Sequence, residues 1–254
     1  MRAEYISHMG DDLLVANAAR VSMDKESDWA RYNCTGCQNS VQESCGHNCE
    51  LPSTPKGLVE GDKKLLNYLA KHSHWTPFSH PQITMRETVP IFVARQRFKH
   101  MVGFTYNEVS RRYVDDEPEF YTPDVWRSRP EGSIKQGSGS EVVADVEWDY
   151  DHHSGGASKV DIKDVYEEVV DTCQLAYLNM LSAGVAPEQA RMVLPQSMYT
   201  SYYVTGSLSA WARAYKQRID PHAQVEIQDL ARQWDTIIKP LYPESWEALT
   251  EGAN

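Results

Sequence analysis

Residues 94–113, ARQRFKHMVGFTYNEVSRRY, concentrate basic side chains in a chain that is otherwise acidic. The basic positions are Arg95, Arg97, Lys99, His100, Arg111 and Arg112. Asn107, Glu108 and Ser110 stand between them. Arginine forms paired hydrogen bonds with phosphate, a serine hydroxyl adds a donor, and Asn or Glu reads the edge of a base. The segment favours a site for a phosphorylated ligand, and a solvated helix face with ordinary charge pairs is the simpler alternative.

The charge balance bears on which ligand is expected. The chain has 254 residues, with 25 Lys and Arg against 36 Asp and Glu, a net charge of −11. Aromatic residues interleave with the basic ones, which is also typical of nucleic-acid contact. A long polyanion needs an extended positive surface, however, and the acidic balance disfavours one. A mononucleotide needs only a few cations, and Arg191 and Arg218 supply two more. We expect a small-molecule nucleotide ligand and no nucleic-acid partner.

Apolar periodicity predicts a chain of mixed elements without a linker that would divide it. Alternating apolar residues from Ile83 predict a strand, and Pro90 suits the start of a helix over residues 91–100. Further helices are predicted over residues 10–23, 62–72, 163–183, 188–194, 208–217 and 223–238. We expect one domain over residues 1–254, with insertions at about 31–57 and 128–160, the second an exposed excursion rich in Gly, Ser and Asp.

The chain lacks the signals of a membrane or secreted protein. No run approaches 18 apolar residues, and residues 1–12 contain no apolar core of a signal peptide. We therefore expect no membrane partner and a cytoplasmic, reducing compartment.

Four cysteines lie close together in the first insertion: Cys34, Cys37, Cys45 and Cys49. Their spacing, C-x2-C-x7-C-x3-C, allows four thiolates to surround a zinc ion, and such a closed site would be structural. The alternatives are free thiols in a polar insertion and, less favoured in a reducing compartment, disulfides. Cys173 lies in a helical apolar pattern and is expected in the core.

Several common catalytic patterns do not fit. The loop HSHWTPFSH contains His72, His74 and His80, but no carboxylate or thiolate at ligand spacing, so hydrogen-bonded histidines are favoured over a metal site. No glycine-rich phosphate loop follows a strand, and no cysteine pairs with a histidine as a nucleophile would.

Five motifs in order resemble those of the flavin-dependent thymidylate synthases. They are AARVSM from residue 18, KHSHWTPFSH from residue 71, PIFVARQ followed by NEVSRRY, ARMVLPQSMYT from residue 190, and RIDPHAQVEI from residue 218. The resemblance covers most of the chain and omits the two insertions. It implies an α/β (α+β) fold with a twisted, largely antiparallel sheet packed by helices.

The resemblance also implies an activity. Members of the family convert dUMP to dTMP with methylenetetrahydrofolate as carbon donor, and FAD reduced by NADPH supplies the hydride. They are typically homotetramers whose sites are shared between subunits. No enzyme thiol attacks the uracil, so the protein positions and polarises the substrate.

Site residues follow from matched positions alone. The dUMP positions are Gln96, Glu108, Ser110, Arg111, Arg112, Arg191 and Arg218. Arg112 and Ser110 would hold the phosphate, Arg191 would reach the nucleotide from another subunit, and Arg218 would stabilise charge on the pyrimidine carbonyls. The flavin positions are Ser22, Thr76, Lys99, His100 and Asn107, and His74 would lie near flavin and folate. Arg218, Ser110 and His74 are the expected catalytic group. Arg191 and Arg218 would otherwise form interface ion pairs.

The sequence departs from the family at two flavin-contacting positions. The Arg-His-Arg triplet is Lys99-His100-Met101, followed by eight residues rather than seven before Ser110. The Asn-x-Arg positions are Ser207-Leu208-Ser209, and Arg213 or Lys216 lies near enough in sequence to compensate. These changes leave open a relative that adds hydroxymethyl to dUMP without net hydride transfer. They also leave open a nucleotide- or zinc-binding relative without turnover.

Overall fold

A computed structural model describes residues 1–30, 57–114, 116–130, 137–149 and 157–251. The four clustered cysteines, Cys34, Cys37, Cys45 and Cys49, lie outside these residues, so the zinc hypothesis stays a prediction. Among the described residues, no helix is both long and apolar enough to cross a membrane.

Four antiparallel strands form the central sheet, in the order β1-β2-β6-β3. They are β1 (Arg2–Met9), β2 (Gln82–Pro90), β3 (Phe104–Glu108) and β6 (Tyr199–Ser207). The alternation in β2 gives this sheet its buried face, because Ile83, Met85 and Val89 are fully buried. The expected antiparallel sheet is thereby confirmed.

Helices surround this sheet. They are α1 (Asp12–Arg20), α2 (Glu60–Lys71), α3 (Ile91–Arg97), α4 (Ile162–Ser182), α5 (Pro187–Ala190), α6 (Leu208–Arg218), α7 (Val225–Ile238) and α8 (Pro243–Thr250). Of these, α3, α6 and α7 contact the sheet directly. Short 3-10 turns cover Val21–Met23, Pro77–Ser79 and Arg191–Val193. The core is centred on Trp211, Trp234 and Trp246, all fully buried.

Acidic residues at the start of α1 fix two helix ends. The Asp11 carboxylate accepts a 2.8 Å hydrogen bond from the Leu14 backbone N–H and so caps α1. Asp12 is buried and accepts from the backbone N–H groups of Glu244 and Ser245 at 2.9 Å each, so it caps α8. Burial raises the pKa of Asp12, although these hydrogen bonds oppose the shift.

Some elements were not foreseen. The sequence patterns predict neither β1, β3 and β6 nor α8, because their short apolar runs show little periodicity of their own. Residues 137–149 and 157–160, the larger part of the second insertion that the structure describes, are mostly exposed, and they contribute to a two-stranded sheet, β4 (Asp145–Trp148) and β5 (Ser158–Asp161). Cys173 is only partly buried, since α4 leaves part of its apolar face, including Val169 and Leu175, exposed.

Candidate active site

The site rests on a buried cation at the end of α3. Arg97 is fully buried, and its Nε donates to Glu87 Oε2 on β2 at 3.1 Å. Tyr202 donates to the same carboxylate oxygen at 2.6 Å, and Arg97 Nη1 donates to the Tyr106 hydroxyl at 2.5 Å. The guanidinium also lies over four aromatic rings, those of Phe104, Tyr106, Trp211 and Trp234. This arrangement ties α3 to the sheet.

Arg218, at the end of α6, is held in a defined position beside α3. Its Nε donates to His100 Nε2 at 2.8 Å, and its Nη2 donates to the Gln96 backbone carbonyl at 2.9 Å. The Gln96 side chain donates to Gln224 Oε1 at 2.5 Å. Gln96, Arg218 and Gln224 line one cleft of about 610 Å³, called here the Arg218 cleft, together with Lys216, Asp220 and His222.

His100 acts as a neutral acceptor in this contact. Burial, and then the charges of Arg218, Arg97 and Arg213, lower its pKa from 6.5 to about 4. The neutral ring keeps one proton, and the bond that Arg218 donates to Nε2 assigns that proton to Nδ1. Burial and the charge of Arg97 also lower the pKa of Arg218 from its ordinary value.

A second cleft brings together four of the predicted nucleotide residues. Glu108, Ser110, Arg111 and Arg191 all line it, at the end of β3 and the 3-10 turn after α5, and its volume is about 690 Å³. We call it the Arg191 cleft. Glu108 accepts a 2.7 Å hydrogen bond from Thr200. The cleft shares no lining residue with the Arg218 cleft.

Arg112 points elsewhere in this protomer. Its Nε lies 3.2 Å from Glu188 Oε2, and both side chains are about half exposed. Its guanidinium lies 5.6 Å from the centre of the Tyr113 ring. Ser110 and Arg111 line the Arg191 cleft, whereas Arg112 does not.

A third cleft, of about 540 Å³, collects three residues of the cofactor prediction. Ser22, His74 and Thr76 line it, with His72 and Trp75. We call it the Trp75 cleft. None of its lining residues is Asp, Glu, Lys or Arg. Hydroxyls, imidazoles and an indole suit a polar aromatic cofactor with phosphates, because no carboxylate repels the phosphate charge.

The two segments that depart from the family motifs, residues 99–101 and 207–209, form hydrogen bonds within the chain. His100 faces Arg218, as described, and Ser207 caps α6 by accepting from the Ala210 backbone N–H at 3.3 Å. Ser209 hydrogen-bonds Ser79 at 2.7 Å. Arg213 donates to the Val102 carbonyl, whereas Lys216 lines the Arg218 cleft. Neither Arg213 nor Lys216 lines the Trp75 cleft.

The turn at Gly103 packs closely on α6. Gly103 has φ of +80°, a region that favours glycine, and a Cβ there would lie 2.9 Å from the Ala210 Cβ. The turn therefore packs directly on the start of α6. The backbone N–H of Ser207 donates to the Gly103 carbonyl at 3.1 Å.

The predicted residues consequently fall into separate groups. Lys99 and Asn107 are exposed and line none of the three clefts. Gln224 and Trp75 also line these clefts. Neither was predicted as a site residue, although both lie inside matched motifs. Over the described ranges, no group of three or more His, Cys, Asp or Glu side chains is arranged to hold a metal.

Comparisons with known proteins identify the family of the chain. Residues 4–244 match the family model described as thymidylate synthase complementing protein. The flavin-dependent thymidylate synthase of Thermosipho africanus is 33% identical over 248 residues, covering 98% of this chain and 90% of the relative. That of Kosmotoga olearia is 38% identical over 195 residues, covering 76% and 79%.

A solved structure shares the fold. The UMP/dUMP methylase PolB from Streptomyces cacaoi, bound with 5-Br UMP, superposes with a TM-score of 0.70 at 24% identity. The match covers 99% of this chain and 94% of that one.

Proposed function

Since the chain belongs to the thymidylate synthase complementing protein family, we propose that it is a flavin-dependent thymidylate synthase that methylates dUMP. The observation that carries the proposal is the fixed position of Arg218 in an open cleft beside Gln96. The relative from Thermosipho africanus, of which the match covers 90%, is named for this activity. The solved PolB structures are described as UMP/dUMP methylases, one bound with 5-Br dUMP.

The nucleotide residues take two roles. Arg218 and Gln96 would bind the pyrimidine, and the guanidinium would stabilise negative charge on its carbonyls during transfer. Ser110, Arg111, Arg112 and Arg191 would bind the phosphate. For Arg112 this requires the exposed contact with Glu188 to open.

The Trp75 cleft fits FAD, through the hydroxyls of Ser22 and Thr76 and the imidazole of His74. Lys99 and Asn107, the other predicted flavin residues, do not line this cleft. Bound FAD, reduced by NADPH, supplies the hydride that completes the methyl group, whose carbon comes from methylenetetrahydrofolate. We assign His100 to Arg218 rather than to the cofactor, because its Nε2 is occupied.

We also propose a homotetramer with shared sites, in the cytoplasm. Support comes from the distribution of the pyrimidine and phosphate residues over two clefts without a common residue. In such an oligomer, the Arg218 cleft of one subunit would lie against the Arg191 cleft of a neighbouring subunit.

A single assay tests the proposed function. Purified protein, dUMP, methylenetetrahydrofolate, FAD and NADPH are combined, and the nucleotide product is read by mass. A methyl adduct supports the proposal. A hydroxymethyl adduct would replace it with the related hydroxymethylase, and colourless protein without turnover would reject both.

Structural zinc in the cysteine cluster remains a separate proposal. Metal analysis should find zinc in the wild type and less in the double variant Cys34→Ser/Cys37→Ser. Equal zinc contents would reject it.

A further inference from the structure

Trp75 is an aromatic side chain presented to solvent at the edge of a cleft. Its side chain is 64% exposed, whereas Trp211, Trp234 and Trp246 are fully buried. Tryptophan carries a large apolar surface, so strong exposure beside a cleft calls for an explanation.

The backbone that presents Trp75 is firmly held. The N–H of Ser73 donates to the Ala70 carbonyl at 3.1 Å, and that of His74 donates to the Leu69 carbonyl at 2.9 Å. Ser73 itself has φ of +58°, in the left-handed region that few side chains adopt. On the other side, Phe78 is fully buried and anchors the loop in the core. The indole therefore stands on a fixed support, so little conformational entropy is lost when a ligand contacts it.

Small side chains form the wall across the Trp75 cleft. Ala18, Ala19 and Ser22, from the end of α1 and the turn after it, line the cleft with Trp75 and Thr76. Two alanines leave space beside the indole, and the two hydroxyls are suited to polar groups of a ligand. The cleft lacks carboxylates, so a ligand with phosphates meets no repulsion from its walls.

We propose that Trp75 stacks on a planar ring of FAD and supplies cofactor affinity that the divergent segments no longer provide. This inference rests on the proposed function. His100 is bonded to Arg218 and Ser207 caps α6, so these two positions serve the protein's own structure. Stacking on an indole does not depend on the charges that are lost where Met101 and Ser209 stand in place of the arginines of the family motifs. Either the isoalloxazine or the adenine of FAD has the flat face that stacking needs.

Titration of FAD into cofactor-free full-length protein tests the proposal, with flavin fluorescence as the readout. The Trp75→Ala variant should bind FAD about tenfold more weakly, and Trp75→Phe within about threefold of wild type. Parallel titrations with FMN by fluorescence and with ADP by calorimetry locate the ring: a loss confined to FMN indicates the isoalloxazine, and one confined to ADP the adenine. Tyr5→Ala, at an exposed aromatic on β1 that lines none of the three clefts, is the matched control and should bind FAD as wild type does.

Equal FAD affinity in wild type and Trp75→Ala would overturn this inference while leaving the proposed function intact, provided that wild type binds FAD and methylates dUMP. A Trp75→Ala variant with unchanged FAD affinity but altered oligomeric state would replace the inference with a subunit contact. If wild type binds no FAD, the proposed function fails with it. Thermal unfolding of each variant checks folding, and Trp75→Leu offers a second substitution without an aromatic face.

Discussion

Nε of Arg218 donates a 2.8 Å hydrogen bond to Nε2 of His100, and the two residues are 118 positions apart in the chain. The contact joins the end of α6 to the turn after α3, and Nη2 of Arg218 makes a second bond to the Gln96 carbonyl. Two bonds in fixed directions leave the remaining guanidinium N–H groups oriented toward the cleft where we propose that the pyrimidine binds.

Removal of the His100 acceptor should loosen Arg218 and slow catalysis. Hydrogen bonds to charged groups contribute about 1.5–3 kcal/mol, so His100→Ala should lower kcat/KM for dUMP roughly ten- to hundredfold. The His100→Gln variant retains an acceptor and should recover part of the loss. Steady-state kinetics at saturating FAD measure this effect. Equal activity of the alanine variant and wild type would refute a positioning role for His100.

His100 should also make stability depend on pH. Its pKa is about 4 in the folded chain against 6.5 as the ordinary value, because burial and then Arg218, Arg97 and Arg213 disfavour the charged ring. Between these values the unfolded chain binds the extra proton, so the free energy of unfolding falls as pH drops from about 6.5 to 4. The contribution is fully present above pH 6.5 and amounts to about 3 kcal/mol. Urea unfolding at several pH values should show a smaller pH dependence in His100→Gln than in wild type.

The buried pair of Arg97 and Glu87 should be sensitive to removal of one partner. Both side chains are fully buried, so Glu87→Ala leaves an uncompensated charge and should cost about 3–5 kcal/mol of unfolding free energy. The exposed pair of Lys163 and Glu167 is the control, since Glu167→Ala should cost less than about 1 kcal/mol. Urea titrations compare the two variants. Similar losses in both would show that burial does not strengthen the Arg97 contact.

Glu188 should compete with the substrate phosphate for Arg112. The Glu188→Gln variant removes the partner charge 3.2 Å from Arg112 Nε and should lower KM for dUMP about two- to fivefold, the range expected of an exposed pair. In the Arg112→Ala background the same change should have little effect. A double-mutant cycle on KM measures the coupling, and additive effects would mean that Arg112 does not bind the phosphate.

Two inactive variants should complement each other if sites are shared between subunits. Arg218→Ala removes the pyrimidine contact and Arg191→Ala the phosphate contact, and these residues line different clefts. Mixed oligomers, formed by co-expression, should recover about a quarter or more of wild-type activity, because some sites then combine two intact halves. Mixtures that stay as inactive as each variant alone would indicate sites formed within one protomer.

Local patterns in the sequence predicted much of the fold. The alternation that starts at Ile83 predicted β2, and Pro90 marked the start of α3. These features depend on neighbours within a few positions. The strands β1, β3 and β6 escaped prediction because pairing with distant strands, rather than local pattern, gives them their place in the sheet.

For the site, the sequence by itself determined which residue types are present and, through matched motifs, the family. Only the tertiary structure decided how they are grouped. It separated Arg218 from Ser110 and Arg191, paired Arg112 with Glu188, and directed His100 to Arg218. The reason is that each of these relationships joins side chains from different elements, so packing of helices on the sheet sets the distances between them. Residue order contains no direct record of those distances.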